Sequence, residues 1–197
     1  KKKFAVLQIG ARRGYVIPYI LFKNNNLKVF YTDLHANHFF CQLIKFIFPN
    51  KFLPKKLKSL LGRKLPSKML KKFIKDIPFL TIFFHLSNEK ITKLVLDKAL
   101  KDKFNGANAI YTNFINNDIE YIKKAKDRGM YIVHEMFIAP DSGLILYEEN
   151  KRFSDVSLNT ERWEDVEKGI LLDKKKWELC DQILIPSNYC KKSAIKM

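Results

Sequence analysis

Residues 107–137, "ANAIYTNFINNDIEYIKKAKDRGMYIVHEMF", contain the alternation that decides the fold. A β-rich apolar run (107–114) precedes a helical pattern over 116–129, which ends at Gly129, a residue type that commonly closes helices. A second apolar run, "MYIVHEMF" (130–137), follows directly. Buried strands that alternate with helices are typical of a parallel sheet with helices on both faces. The stretch therefore predicts an α/β fold.

The same alternation extends to both ends of the chain. Strands are predicted at "FAVLQIG" (4–10), "LKVFYTD" (27–33) and "DQILIPS" (181–187). Helices are predicted near 15–26, 36–48, 51–61, 66–77, 88–104, 141–153 and 160–180. We expect one Rossmann-like domain over residues 1–197, a parallel sheet flanked by helices, with a basic helical insertion at about 36–104.

The chain is strongly basic, and the excess is concentrated in one region. The formal net charge is +17, from 37 Lys and Arg against 20 Asp and Glu. A compositional drift toward Lys is one open explanation of this total, but it does not explain the distribution. Eleven basic residues and no acidic one lie between Lys45 and Lys75. Such a bias predicts an anionic partner: a nucleic acid, an acidic lipid surface or a phosphorylated substrate.

Apolar side chains interleave with these lysines at helical spacing. A basic amphipathic helix of this kind is suited to an anionic membrane surface, although the same pattern suits RNA phosphates or a helix pair that faces the core. The membrane interpretation assigns the headgroup contacts to Lys51, Lys55, Lys56, Lys58, Lys68, Lys71 and Lys72. No stretch reaches the roughly 20 apolar residues of a membrane-spanning helix, since the apolar run 77–86 is far shorter.

Ligands of open parallel sheets lie beyond the carboxyl ends of the strands, which selects the loops there as candidate sites. The first loop, "GARRGY" (10–15), lacks both the G-x-G-x-x-G pattern of nicotinamide-binding domains and the Lys-Ser/Thr of a P-loop. Its glycines allow close approach of a phosphate to the backbone, and its arginines suit an anionic ligand. The candidate substrate-binding residues here are Gly10, Arg12, Arg13, Gly14 and Tyr15.

Two carboxylates complete the predicted site. Asp33 ends the second strand, and Glu135 ends the strand over 130–137, next to His134. A carboxylate at the end of a buried strand costs desolvation unless it is hydrogen-bonded or functional. Glu135 is therefore the candidate base or sugar-hydroxyl acceptor, with a structural loop cap as the equally open alternative.

Other chemistries find little support in the sequence. His35 and His38 lie three residues apart without a third ligand nearby, so no metal site is expected. Ser142, Ser187 and Cys190 belong to no nucleophile motif. The three cysteines form no C-x-x-C pair and are expected to be reduced thiols of a cytoplasmic protein. The start of the chain mimics a signal peptide, but Arg12 and Arg13 interrupt its apolar run too early.

Four segments, in this order, resemble the amino-terminal half of a family 4 (group 1) glycosyltransferase with the two-domain GT-B architecture. They are "GARRGYVIPYILFKNNNLKVFYTDL" (10–34), "AKDRGMYIVHEMFIAP" (125–140), "YEENKRF" (147–153) and "CDQILIPSNYCKKSAI" (180–195). In such enzymes the last segment is similar to the passage before the crossover to the donor-binding domain.

The resemblance implies transfer of a sugar from a nucleotide-sugar donor to a saccharide or lipid-linked acceptor. Retention of anomeric configuration and independence of metal are expected with it, and no cofactor is required. A role in cell-envelope polysaccharide synthesis follows, at the inner face of an anionic membrane. This half chiefly binds acceptor, so no donor-site residue is assigned, and the fragment alone is expected to be inactive because the carboxy-terminal donor domain is not included.

Two other functions remain open from the sequence. The charge is compatible with a basic nucleic-acid-binding α/β module, although most aromatic residues lie within apolar runs and no nucleic-acid motif occurs. Another nucleotide-sugar enzyme, such as an epimerase, would have a broadly similar half-chain. A donor domain downstream in the parent gene would separate these possibilities.

Overall fold

A computed structural model describes residues 1–33, 35–48, 53, 58–59, 61–66, 71–77, 87–154 and 162–197. Six parallel strands form one sheet in the order β3-β2-β1-β4-β5-β6. This is the strand order of a Rossmann fold, and the order reverses between β1 and β4. The strands are β1 Phe4–Leu7, β2 Leu27–Thr32, β3 Ile74–Asp76, β4 Ala109–Thr112, β5 Tyr131–Glu135 and β6 Gln182–Leu184. The predicted α/β class, with a parallel sheet flanked by helices, is confirmed.

The helices follow the predicted alternation, with tighter bounds. Within the described ranges they are α1 Val16–Lys23, α2 Phe39–Ile47, α3 Asn88–Lys101, α4 Ile119–Lys126, α5 Ser142–Arg152, α6 Trp163–Leu179 and α7 Asn188–Lys196. Serine hydroxyls cap two of them: Ser87 accepts from the backbone N–H of Lys90, and Ser187 from that of Cys190. None of these helices combines the length and apolar character needed to cross a membrane.

The helical prediction for residues 66–77 is wrong at its carboxyl end. Lys71–Phe73 form a single 3₁₀ turn, and β3 follows and pairs with β2 through Phe30 and its neighbours. Its partly buried Ile74 packs against the apolar cluster that contains Phe30. A three-residue edge strand is too short to show a period of its own, so pairing with β2 overrides the helical pattern of the lysines.

Alternate residues of each strand pack on opposite faces of the sheet. On one face, Ala5 and Leu7 of β1 join a cluster with Val95 and Leu96 of α3 and with apolar residues of α4. On the other face, Val6 belongs to a second cluster that includes side chains of α1. Because both faces are covered, the loops at the carboxyl edge are the places where a ligand can reach the sheet. Helix α3 and strand β3, from the predicted insertion, are part of this packed domain.

The three cysteines are free thiols. The helix predicted over 51–61 lies mostly outside the described residues, as do Lys51, Lys55, Lys56 and Lys68 and the apolar run 78–86.

Candidate active site

The loop after β1 turns sharply before helix α1 begins. Gly10 and Gly14 both adopt positive φ, at 69° and 59°, and so do Arg13 and Tyr15, at 49° and 62°. Non-glycine residues rarely take this conformation unless the surrounding packing enforces it. Here the Tyr15 ring is completely buried and packs edge-on against Phe30, with ring centroids 5.7 Å apart. Burial of Tyr15 thus fixes the turn that presents the arginines.

Glu135 lies where the sequence predicted, at the carboxyl end of β5, and its carboxylate has two partners. The Arg13 guanidinium lies 3.0 Å from Oε1, and the Tyr111 hydroxyl of β4 donates a hydrogen bond to Oε2. The side chain of Glu135 is 6% exposed, whereas that of Arg13 is 55% exposed. Burial, followed by the hydrogen bond to Glu135, raises the pKa of Tyr111 well above its ordinary value. A fixed carboxylate therefore faces a solvent-accessible guanidinium.

Asp33 is also nearly buried, and its carboxylate is fully occupied. Oδ1 accepts from the backbone N–H of Gly10 at 2.8 Å and from the hydroxyl of Thr32, while Oδ2 forms an ion pair with Arg63. The carboxylate thus ties the first loop to the end of β2. A ligand hydroxyl that contacts Asp33 has to displace Arg63, which is only partly buried.

Arg12 joins the loops that follow β1, β4 and β5. Its guanidinium donates to the backbone carbonyl of Asn113, at 3.5 Å, and lies 3.8 Å above the ring of Phe137. Such cation–π contacts hold an arginine in place while leaving its charge available to a ligand. Arg12, Arg13 and Glu135 therefore meet on the side of the sheet where the strand order reverses.

A cavity of about 250 Å³ opens beside these loops. Its walls come from the segments after β4 and β5 and from one face of α6, and they are mainly apolar. Phe114, Asn116, His134, Asp173 and Trp177 are among the lining residues. An apolar pocket with a few converging polar groups is the usual form of a small-molecule site.

His134 supplies a neutral imidazole to this cavity. Burial, reinforced by the positive charge of Lys176, lowers the pKa of His134 to about 3. Its Nδ1 atom is buried and makes no hydrogen bond to any side chain or backbone group of the described residues. The amide oxygen of Asn116 is likewise buried and makes no hydrogen bond to the described residues. Two polar atoms of residues in the cavity wall are therefore buried without a partner among the described residues.

The buried imidazole predicts a loss of stability at acid pH. Since the folded-state pKa lies below the unfolded value of 6.5, protonation favours the unfolded chain, and the contribution is lost as pH falls below 6.5 toward 3. Between pH 7.5 and pH 5 we expect His134 to account for about 2 kcal/mol of the fall in unfolding free energy. In urea titrations at both pH values, the unfolding free energy of His134→Gln should fall less than that of the wild-type protein. An equal fall in the two proteins would contradict a buried, neutral His134.

Behind the cavity lies a completely buried ion pair that sequence reasoning missed. The Lys176 ammonium of α6 is 2.7 Å from Asp118 Oδ1 and donates to the backbone carbonyl of Phe114 at 2.6 Å. The other oxygen of Asp118 accepts from the hydroxyl of Thr112 at the end of β4. A signal was present: Lys176 continues the helical stripe of Val166, Gly169 and Asp173, although it stands in a run of three lysines.

His35 and His38, for which the sequence showed no third metal ligand, do have an acidic neighbour. The Nε2 atoms of His35 and His38 lie 3.4 and 3.7 Å from one oxygen of Asp76. Asp76 was missed because β3 had been assigned to a helix. Burial lowers the pKa of His35, despite the opposing effect of Asp76. Among the residues that the structure describes, no cluster of His, Cys, Asp or Glu is arranged to hold a metal ion.

The remaining sequence candidates are not among the residues that line the cavity. Ser142 is the first residue of α5, the hydroxyl of Ser187 caps α7, and Cys190 is buried. Of the basic residues assigned to a membrane surface, Lys58, Lys71 and Lys72 lie within the described ranges, and all three are exposed.

No protein-family model matches the chain, and no curated protein matches it. A similar solved structure is a UDP-glucosyltransferase from Polygonum tinctorium capable of glucosylating indoxyl, in complex with 3,4-dichloroaniline. The TM-score is 0.45 and the sequence identity 12%, over 100% of this chain and 49% of that one. The chain thus spans about half the length of that structure. A likeness of this size supports neither a common activity nor a common substrate.

Proposed function

We propose that this chain is the acceptor-side domain of a retaining glycosyltransferase with GT-B architecture. The whole enzyme transfers a sugar from a nucleotide-sugar donor to a saccharide or lipid-linked acceptor, without a metal ion. The observation that carries the proposal is that Arg12 and the ion pair of Arg13 with Glu135 lie at the carboxyl edge of the sheet, where Arg12 packs on Phe137 of the cavity wall. The motif resemblance of the sequence supports the same assignment.

The arginines supply positive charge for a leaving diphosphate. Transfer from a nucleotide sugar breaks the bond between the anomeric carbon and the phosphate, so negative charge develops on the phosphate oxygen. Guanidinium groups bind phosphate with two parallel hydrogen bonds. The half-exposed Arg13 is therefore suited to binding the leaving phosphate.

Glu135 binds or activates the acceptor hydroxyl in this proposal. When Arg13 moves toward phosphate, Oε1 becomes available to accept a hydrogen bond from that hydroxyl, while Tyr111 keeps the carboxylate in place through Oε2. A carboxylate held this way can take the hydroxyl proton as the new glycosidic bond forms.

The cavity receives a part of the acceptor that lies away from the reacting hydroxyl, because Glu135 is not among the residues that line it. Its aromatic side chains, Phe114 and Trp177, offer faces for a sugar ring. We place the reaction in cell-envelope polysaccharide synthesis at the cytoplasmic face of the membrane, because the exposed Lys58, Lys71 and Lys72 favour an anionic surface.

A direct assay tests the proposal. The full gene product that contains this chain should transfer label from at least one radiolabelled nucleotide sugar to lipid-linked or polysaccharide acceptors from the source organism. A metal chelator should leave the rate unchanged, and residues 1–197 alone should transfer nothing, because in this architecture the reaction centre lies between two domains. Failure with a full panel of donors, or rapid transfer by residues 1–197 alone, would overturn it.

A further inference from the structure

Helix α2 is apolar on two sides, and one of these sides packs against other residues of the chain. Cys41 is completely buried and, together with the partly buried Ile44, packs against Leu53 and Leu61. This contact packs α2 against the segment that follows it. A surface helix of a water-soluble protein would be expected to carry polar residues on its opposite side.

The opposite side of α2 is instead strongly apolar. Leu43, Phe46 and Ile47 lie at spacings of three and four residues and are 40%, 89% and 55% exposed. Residues with this spacing form one continuous stripe on a helix. Apolar patches of this kind mark a surface that meets another apolar phase. We call Leu43, Phe46 and Ile47 the α2 apolar face.

The charge of the segment that begins within α2 restricts what can cover the α2 apolar face. The segment from Lys45 to Lys75 carries eleven basic residues and no acidic one. Within its described part, Lys58, Lys64, Lys71 and Lys72 are exposed. A second copy of this chain would bring two such basic surfaces together and be repelled. A nucleic acid would neutralise the lysines but offers no apolar phase for Phe46 and Ile47.

We infer that the α2 apolar face inserts into the headgroup region of a bilayer that contains anionic lipids. The apolar side chains enter the boundary between headgroups and acyl chains, and the neighbouring lysines meet lipid phosphates. This specifies the membrane surface of the proposed function, yet it does not depend on sugar transfer. The helix lies parallel to the membrane, since its nine residues are too few to cross it.

Vesicle flotation of the full-length protein tests the inference. Wild-type protein should float with vesicles of phosphatidylcholine mixed with phosphatidylglycerol at low salt, and much less with phosphatidylcholine alone or at high salt. The variant Phe46→Ser/Ile47→Ser should lower the membrane partition coefficient at least about tenfold, because two large side chains no longer enter the apolar phase. The matched control is Leu171→Ser/Ile195→Ser, which removes apolar residues that are 61% and 75% exposed on α6 and α7.

The inference is overturned if both double variants bind vesicles equally, or if wild-type protein binds neutral vesicles just as well. It is also overturned if light scattering shows a dimer that only Phe46→Ser/Ile47→Ser dissociates, or if an oligonucleotide binds while anionic vesicles do not. Circular dichroism verifies that both variants are folded. Sugar transfer to a detergent-dispersed acceptor is measured in parallel. Transfer without vesicle binding would overturn only the membrane inference, whereas vesicle binding without transfer would overturn only the proposed transferase function.

Discussion

Replacement of Lys176 by methionine is expected to lower the free energy of unfolding by about 3–5 kcal/mol. The ammonium group is completely buried between Asp118 and the carbonyl of Phe114. Methionine fills a similar volume but provides no charge, so the Asp118 carboxylate remains in the interior with only the Thr112 hydroxyl as a donor. Removal of one partner costs far more than the pair contributes, because the remaining charge keeps its full desolvation penalty.

Two comparisons separate this effect from a general loss of helix stability. Lys175→Met changes the neighbouring exposed residue of α6 and should alter the unfolding free energy by no more than about 0.5 kcal/mol. The double variant Lys176→Met/Asp118→Asn should regain much of the lost stability, since no unpaired charge remains. Urea denaturation of all four proteins measures these differences. Equal values for Lys175→Met and Lys176→Met would show that the buried pair is not formed.

The pair also positions the loop that follows β4. Lys176 holds the carbonyl of Phe114, and Asp118 holds the end of the strand through Thr112, so the cavity wall between them is fixed at both ends. Its ammonium also contributes to the neutral state of the His134 imidazole. In Lys176→Met we therefore expect the loop after β4 to be less ordered, in addition to the lower free energy of unfolding.

The sequence was sufficient to predict those parts of the fold that show strong periodicity. Strands β1, β2, β4, β5 and β6 each carry an apolar run between turn signals, and the predicted runs overlap all of them. Strand β3 could not be found this way, because three partly buried residues carry no pattern of their own. Its place depends on the long-range pairing with β2.

The sequence identified residues at the ends of strands but not the contacts between them. Glu135 and the arginines were selected because they lie at strand ends, and the structure brings Arg13 onto Glu135. Tyr111 was not expected as a partner, since in the sequence it is one more aromatic residue of a buried strand. Burial of the Tyr15 side chain in the core was not expected either. Side-chain partnerships across strands depend on register, which a single sequence does not specify.

Replacement of Glu135 by glutamine is expected to lower kcat/KM for sugar transfer by about 100-fold or more, if the carboxylate acts on the acceptor hydroxyl as proposed. Glutamine keeps the shape of the side chain and can still accept from Tyr111, so the unfolding free energy should change by only about 1–2 kcal/mol. The loss should lie mainly in kcat, because the amide binds a hydroxyl but cannot take its proton.

Three further variants distinguish catalysis from support. Glu148→Gln alters an exposed carboxylate on α5 and should leave kcat/KM unchanged. Arg13→Ala removes the ion-pair partner and should raise KM for the donor more than it lowers kcat, since the guanidinium is assigned to the phosphate. Tyr111→Phe removes only the hydroxyl that positions the carboxylate and should cost less than Glu135→Gln. If Glu135→Gln instead retains the wild-type kcat, the carboxylate serves only to hold the loop after β1 against the sheet, and the base lies elsewhere.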